Sequence, residues 1–193
     1  MKIKGRYSLY VCLLSCLLSA CLARPERQGL RRAYPVSVGI PSDASTATAH
    51  TPSGDIRVDY AKKMGVSPVA LKDPALYHYI QDWMGVPHKM GGMKRTGVDC
   101  SGFVLMLYAK VYHKEIPRTS YAMADVVQKH RPKKLKEGDL VFFSFSGSRG
   151  VNHVGVYLHN DYFVHVSTSK GVILSKLTDP WYWKYYVKGG SLL

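Results

Sequence analysis

The apolar residues of this chain change their spacing once, near Gly138, and this change limits the folds open to it. Before Gly138, apolar side chains recur at helical intervals. After it, short runs rich in β-branched and aromatic residues are separated by Gly, Asn and Asp. Helices followed by a meander of strands predict an α+β domain in which N-terminal helices pack on an antiparallel β-sheet.

The helix boundaries follow from capping residues. Asp73-Pro74 is an N-cap and first-turn pair, so the first helix begins there and ends before Gly85. A second amphipathic helix spans Cys100 to Tyr112, and a third candidate spans Ser120 to Lys129. Four strands and a short aromatic segment are predicted after them: Leu140 to Phe145, Val151 to Leu158, Tyr162 to Ser167, Val172 to Leu177, and Trp181 to Tyr186.

Residues 1–20 have the pattern of an export signal, with a basic start (Lys2, Lys4 and Arg6) before an apolar stretch over 8–20. That stretch is too short for a membrane-spanning helix, which needs about 20 apolar residues. Leu18-Ser19-Ala20-Cys21 resembles the bacterial lipobox, which implies a lipoprotein signal peptide and acylation of Cys21. Cys16 follows the bulky Leu14 and fits less well. A plain secretory signal with incidental cysteines is the alternative.

Residues 21–57 predict a lipidated, flexible tether. They are rich in Pro, Ser, Thr, Ala, Gly and Arg and have no sustained apolar period. A flexible chain of that length spans on the order of 30 Å, enough to hold a domain just off a membrane. The alternative is that part of it packs on the domain as an irregular arm. The domain itself is expected over 58–193.

The chain carries 27 Lys and Arg against 13 Asp and Glu, so its formal net charge is +14. An excess of this size calls for an anionic partner or surface. An export signal argues against nucleic acid as that partner and favours wall polymers or phospholipid head groups. Removal of residues 1–20 leaves only Cys21 and Cys100 as cysteines, so acylation of Cys21 would make Cys100 a lone thiol.

Cys100 passes from a glycine-containing loop directly into the start of a helix. Unpaired amides and the helix dipole stabilise an anion at such a position, and thiolates there have lowered pKa values. The same amides could donate to an oxyanion formed during attack on a carbonyl. Taken alone, however, Cys100 is equally consistent with an inert buried cysteine.

A cysteine nucleophile needs a base, and the base needs an orienting group. Of the eight histidines, His153 and His165 stand out because both fall within predicted strands. An odd-numbered loop, such as residues 159–161, would place the two side chains on one face as diagonal neighbours. An even-numbered loop would place them on opposite faces.

Four ordered motifs carry a resemblance to a known family. They are Gly97-Val98-Asp99-Cys100-Ser101-Gly102-Phe103-Val104, Gly138-Asp139-Leu140-Val141-Phe142-Phe143, His153-Val154-Gly155-Val156-Tyr157 and Phe163-Val164-His165-Val166-Ser167-Thr168-Ser169. Together they resemble the NlpC-type papain-like cysteine peptidases, in particular small lipoproteins of Gram-negative envelopes. The likeness extends from about Leu76 to Tyr186.

The resemblance implies a role for each matching residue. Cys100 matches the nucleophile, His153 the general base and His165 the orienting third residue. Asp99 and Ser101 match positions that line the pocket for the acyl-side residue of the substrate. His88 stands where the family usually has a tyrosine, which leaves substrate preference and pH optimum open, since a histidine has a shorter reach and a charge that varies near neutral pH.

The implied activity is hydrolysis of amide bonds in peptidoglycan stem peptides or cross-links by a Cys-His-His triad, without cofactor or metal. We expect a monomer in the cell envelope, held by acylated Cys21 in the outer membrane and facing the periplasm. One alternative is a catalytically weak wall-binding module on the same fold. Acyl transfer is disfavoured because permuted relatives have the histidine before the cysteine, and a zinc site is disfavoured because no short-spaced ligand pair is present.

Overall fold

The computed structural model describes residues 54–145, 147 and 150–192. The expected signal peptide, Cys21 and nearly all of the expected tether lie outside these residues. Within the described part, no helix is long and apolar enough to span a membrane. All of the helices and strands below fall between residues 56 and 192 and supply their own hydrophobic core.

Four helices precede most of the sheet: α1 Ile56–Met64, α2 Pro74–Trp83, α3 Cys100–Val111 and α4 Ser120–Val126. Each begins after a residue whose side chain accepts a first-turn amide: Asp55, Asp73, Asp99 and Thr119. The predictions for α2 and α3 are confirmed. The sequence analysis did not predict α1, which begins at Ile56 and so overlaps the end of the expected tether.

The third predicted helix is only partly correct. It ends at Val126, and Val127–His130 forms strand β3 instead. The β-branched pair at Val126 and Val127 favours extended backbone, and Val127 lies opposite Leu192 on a neighbouring strand. Pairing with that strand therefore overrides the helical pattern at this point.

The main sheet contains six strands: β3 Val127–His130, β4 Leu140–Phe143, β5 His153–Tyr157, β6 Tyr162–Ser167, β7 Gly171–Lys176 and β8 Tyr186–Leu192. Their order is β3-β8-β4-β5-β6-β7, and all neighbours are antiparallel. The meander from β4 to β7 confirms the four predicted strands: β4 and β5 are shorter than predicted, β6 has the predicted bounds, and β7 begins and ends one residue earlier. Strand β8 was not predicted, and it enters between β3 and β4 after the helix α5 Pro180–Tyr185.

Both faces of the sheet are covered. Leu140 and Phe142 of β4 join the core beneath α1 to α4. Val141 and Phe143 point to the other face, where a second cluster packs with aromatic residues of α5. The predicted α+β class and the packing of helices on an antiparallel sheet are thus confirmed, and α5 adds a layer on the second face.

Candidate active site

A small hairpin delivers Cys100 to the start of α3. Strands β1 Met93–Lys94 and β2 Gly97–Val98 pair with each other directly before the helix. A Cβ added at Gly102 would lie 2.5 Å from the carbonyl oxygen of Gly92 in the turn before the hairpin. The sequence therefore needs glycine there, because the loop and the first turn of α3 are in backbone contact.

A buried polar network lies beneath Cys100. Asp99 Oδ1 accepts the Gly102 amide at 2.6 Å and the Ser101 hydroxyl at 3.1 Å. Arg118 donates to both carboxylate oxygens of Asp99, at 3.1 and 2.8 Å, and to Ser101 Oγ at 2.8 Å. Burial alone would raise the pKa of Asp99, but the bonds from Arg118 and Gly102 outweigh it and hold that pKa below its ordinary value.

Asp99 and Ser101 thus have partners within the protein, and both are nearly inaccessible to solvent. Their predicted contact with substrate stays a prediction. Sequence reasoning placed Arg118 within the region of family likeness but gave it no role. Its position 19 residues after Asp99 gives no local signal of the contact.

His153 and His165 lie on the same face of the sheet, as an odd-numbered loop predicts. Gly155 pairs with His165 and Tyr157 with Phe163, so His153 and His165 are diagonal neighbours. The loop of residues 159–161 turns through Asn160 and Asp161, both in the left-handed region. His153 Nε2 lies 2.9 Å from His165 Nδ1, which leaves Nδ1 as the free nitrogen of His153.

Two hydroxyl groups hold the far side of His165. Its Nε2 lies 3.1 Å from Ser175 Oγ and 3.1 Å from Tyr182 Oη, and the Ser175 hydroxyl donates to Tyr182 Oη at 3.1 Å. Ser175 comes from β7 and Tyr182 from α5, so two separate elements fix one ring. Sequence reasoning missed both residues, although Tyr182 falls in the aromatic segment it noted.

Both histidines are held neutral by their surroundings. Burial lowers the pKa of His165, and the neighbouring His153 lowers it further. Burial also lowers the pKa of His153, with a smaller contribution from His88. His88 forms a β-bridge with Val98, the last residue of β2, and lies close enough to His153 to lower the pKa of that imidazole electrostatically. The structure therefore brings His88 to the same site.

The state of the Cys100 thiol differs from the expectation. Burial raises its pKa, and the amides of Val154, Ser101 and Cys100 itself only partly offset this. The lowered pKa expected from the helix start is therefore wrong for this conformation, because desolvation of the thiolate exceeds the effect of the amides. The Val154 amide bonds to the Cys100 sulfur and lowers its pKa. Val154 follows His153 in β5, so the sulfur lies against this strand.

Aromatic rings pack beside His153. The Phe145 ring lies 5.3 Å from its centroid and the Phe143 ring 6.0 Å away, and Trp181 stacks on Phe145. Asn152, next to His153, bonds to the backbone amide and carbonyl of Phe145. These contacts limit access of water to the imidazole and explain its depressed pKa.

A cysteine at a helix start, packed against a strand whose histidine bonds to a second histidine on the next strand, is the arrangement of a papain-like cysteine peptidase. Residues 85–191 match the model of the NlpC/P60 family, and the chain belongs to that family. It is 35% identical over 171 residues to the murein DD-endopeptidase MepS/murein LD-carboxypeptidase of Escherichia coli K12. This alignment covers 89% of this chain and 83% of that relative. It is 42% identical over 105 residues to the probable endopeptidase NlpC of the same organism, or 54% of this chain and 68% of the relative.

Solved structures agree on the fold. An NlpC/P60 family protein of Bacillus cereus superposes with a TM-score of 0.56 at 28% identity and covers 62% of this chain and 39% of that chain. RipD of Mycobacterium tuberculosis superposes with a TM-score of 0.50 at 25% identity, and the match covers 62% of this chain and 95% of RipD. RipD is described as a non-catalytic NlpC/p60 domain protein adapted to peptidoglycan binding. The fold alone therefore does not decide between turnover and binding.

Proposed function

We propose that this chain is a peptidoglycan hydrolase, a cysteine endopeptidase that opens cross-links between stem peptides. The observation that carries the proposal is the joint placement of Cys100, His153 and His165, since a binding module has no need of all three. The relative aligned over 89% of the chain is named both a murein DD-endopeptidase and a murein LD-carboxypeptidase, and the first of these activities supports the cross-link as the bond.

The proton path follows from the hydrogen bonds. For His153 Nδ1 to accept a proton from Cys100, His153 Nε2 must carry a hydrogen and donate it to His165 Nδ1. His165 Nε2 then carries a hydrogen and donates it to Ser175 or Tyr182. Because a hydroxyl group can accept this hydrogen, the pair accommodates the tautomers that leave a lone pair of His153 facing the thiol.

Catalysis then proceeds in two halves. Cys100 Sγ passes its proton to His153 and attacks the amide carbonyl, while amides in the first turn of α3 bind the oxyanion. The tetrahedral intermediate collapses, the C–N bond breaks, and His153 gives its proton to the leaving amine. Water, deprotonated by His153, attacks the thioester and releases the carboxylic acid and the thiol.

The test is digestion of purified sacculi by the chain from Leu22 onward, beside Cys100→Ala, with muropeptides identified by mass spectrometry. We expect the parent to convert cross-linked dimers to monomers and the variant to leave them intact. If both proteins leave every muropeptide intact yet pellet with sacculi, the chain is a wall-binding module, as RipD is described to be.

We further propose that Cys21 is acylated and anchors the protein in the outer membrane, facing the periplasm. The apolar stretch before Leu18-Ser19-Ala20-Cys21 supports the anchor, and Leu22 lacks the acidic character associated with inner-membrane retention. Labelled palmitate should enter the parent and Cys16→Ala but not Cys21→Ala. Recovery of the labelled protein in inner-membrane fractions would overturn the location.

A further inference from the structure

A dense run of positive charge lies outside the candidate active site. Residues 129–136, named here the basic segment, hold five cations in eight positions: Lys129, Arg131, Lys133, Lys134 and Lys136. All five are exposed, and among the described residues none of them is paired with a carboxylate. No step of the proposed reaction uses them.

The fold holds this segment in one shape. It contains a 3₁₀ turn at Pro132–Lys134, and Leu135 is buried in the cluster on the second face of the sheet. The Lys134 amide bonds to the Arg131 carbonyl at 2.8 Å, and the Lys136 amide bonds to Asp139 Oδ2 at 2.9 Å. The charges are therefore presented on a fixed surface and do not belong to a flexible tail.

The two carboxylates that directly follow the segment in the sequence are turned inward. Glu137 accepts the Asp73 amide at 2.8 Å and the Tyr77 hydroxyl at 2.6 Å. Asp139 is buried and lies 3.4 Å from His130 Nδ1. Because these two acids are occupied inside the domain and the five cations make no ion pair among the described residues, the outer surface of the segment carries an excess of positive charge.

The segment lies at the end of the domain opposite Cys100. The Gly138 amide, just after it, bonds to the carbonyl of Tyr157, the last residue of β5, whereas His153 is the first. Lys133 and Lys136 line a cavity of about 790 Å³ together with Tyr112, which follows the last residue of α3. Cys100 is the first residue of that helix, so about 18 Å of helix separates Cys100 from the cavity at Tyr112.

Helix α1 lies at this same end. Asp55 first, and Glu137 more weakly, raise the pKa of Arg57, so Glu137 acts electrostatically on the first turn of α1. The last residue of α1 is also held there, since Asn160 donates to the Met64 carbonyl at 2.6 Å. Asp55, which caps α1, therefore lies at the same end of the domain as the basic segment.

We propose that the basic segment docks the domain on a membrane whose surface carries anionic phospholipid head groups. The inference rests on the proposed lipid-anchored location, in which the tether keeps this end near the bilayer. Docking by this end points Cys100 away from the lipid, toward the wall polymer. Each cation near such a surface strengthens binding about fivefold, and salt weakens the attraction within a Debye length of about 10 Å.

The test uses the chain from Leu22 onward, which lacks both the signal peptide and Cys21. It is sedimented with vesicles of phosphatidylcholine alone or of equal parts phosphatidylcholine and phosphatidylglycerol. We expect binding only to the anionic vesicles, with loss at high salt. Lys133→Glu with Lys134→Glu should weaken this binding at least about 25-fold, while circular dichroism and the thermal midpoint stay at parental values.

A matched control separates position from net charge. Lys89→Glu with Lys170→Glu changes the net charge by the same amount at the end of the domain that carries Cys100, and it should bind nearly as the parent does. Equal weakening by both variants would overturn the proposal, as would retained sedimentation of the Lys133/Lys134 variant.

The remaining readouts distinguish the membrane from the wall. If the Lys133/Lys134 variant loses sedimentation with sacculi but keeps vesicle binding, the segment binds the wall and the proposal fails. Turnover of soluble cross-linked muropeptides should be unchanged in that variant, because the segment lies outside the catalytic site. Conversely, Cys100→Ala should bind vesicles normally, so failure of the proposed chemistry would not affect this result.

Discussion

Replacing Arg118 with methionine tests the network beneath Cys100. Arg118 makes three charge-assisted hydrogen bonds, two to Asp99 and one to Ser101. Methionine keeps the aliphatic stem but donates nothing. Asp99, whose side chain is only 9% exposed, would keep its charge with the Gly102 amide and the Ser101 hydroxyl as its remaining partners.

The expected loss is about 3 kcal/mol of unfolding free energy at pH 7. Removing one member of a buried ion pair costs about 3–5 kcal/mol, because it strands the other charge. The lower end applies here because the Arg118 side chain is 28% exposed and water can reach the space it leaves. Asp99 also caps α3, so part of the loss reflects a weaker helix start.

The loss should depend on pH with a definite sign. In the parent the pKa of Asp99 is lowered, so its stabilisation is present at neutral pH and is lost as pH falls through that lowered value. Without Arg118, burial dominates and the pKa of Asp99 rises. Urea unfolding at pH 7 and pH 4 should therefore show a smaller difference between parent and variant at pH 4. Protonation of the buried histidines destabilises both proteins alike and cancels.

The double variant Asp99→Asn with Arg118→Met is the control. Asparagine can still accept the Gly102 amide but carries no charge, so the double variant should regain at least half of the loss. A cost below about 1 kcal/mol for Arg118→Met, or a double variant less stable than Arg118→Met alone, would refute the assignment of a buried, charge-stabilised cap.

Three further predictions concern the chemistry of the site. The rate of Cys100 alkylation by iodoacetamide should keep rising above pH 9, because burial raises the thiol pKa; a plateau below pH 7 would contradict this. Ser175→Ala with Tyr182→Phe should lower kcat about tenfold or more with little change in KM, each single variant having a smaller effect; equal loss in KM would indicate a merely structural role. Gly155→Ala should lower both stability and activity, since its Cβ would lie 2.7 Å from the Val164 carbonyl oxygen, whereas Gly54→Ala, in open space, should match the parent.

The elements that the sequence predicted well are those with local signals. Helices α2 and α3 begin where Asp73 and Asp99 can cap them, and capping depends on neighbours within three residues. The shared face of His153 and His165 follows from strand alternation once the loop length is fixed. Because Asn160 and Asp161 tolerate left-handed backbone, a three-residue loop is favoured there.

Strand β8 and several contacts of the site were missed because they depend on distant partners. Strand β8 contains Gly189 and Gly190, which are poor strand formers by local propensity. A Cβ at Gly190 would lie 2.0 Å from the Gln128 carbonyl oxygen, so glycine is required by the neighbouring strand β3. The contacts of Arg118, Ser175 and Tyr182 likewise join separate elements, and no spacing in the sequence reveals them.

The Cys100 thiol shows how a local rule can fail in its tertiary setting. A helix start favours the thiolate, but the same packing that brings β5 against Cys100 removes water from the sulfur. The third residue of the candidate triad is a histidine whose own pKa is lowered, so it accepts a hydrogen bond from His153 without supplying negative charge. A neutral acceptor stabilises an imidazolium less than a carboxylate does.

The two effects together favour a resting site of thiol and neutral imidazole over an ion pair. Proton transfer from Cys100 to His153 then becomes coupled to attack on a bound carbonyl, since only the oxyanion and its amide donors offset the separated charges. Such a site has little free thiolate in the absence of substrate. Since thiolate fraction sets the rate of oxidation and alkylation, the same burial that raises the pKa of Cys100 slows both reactions.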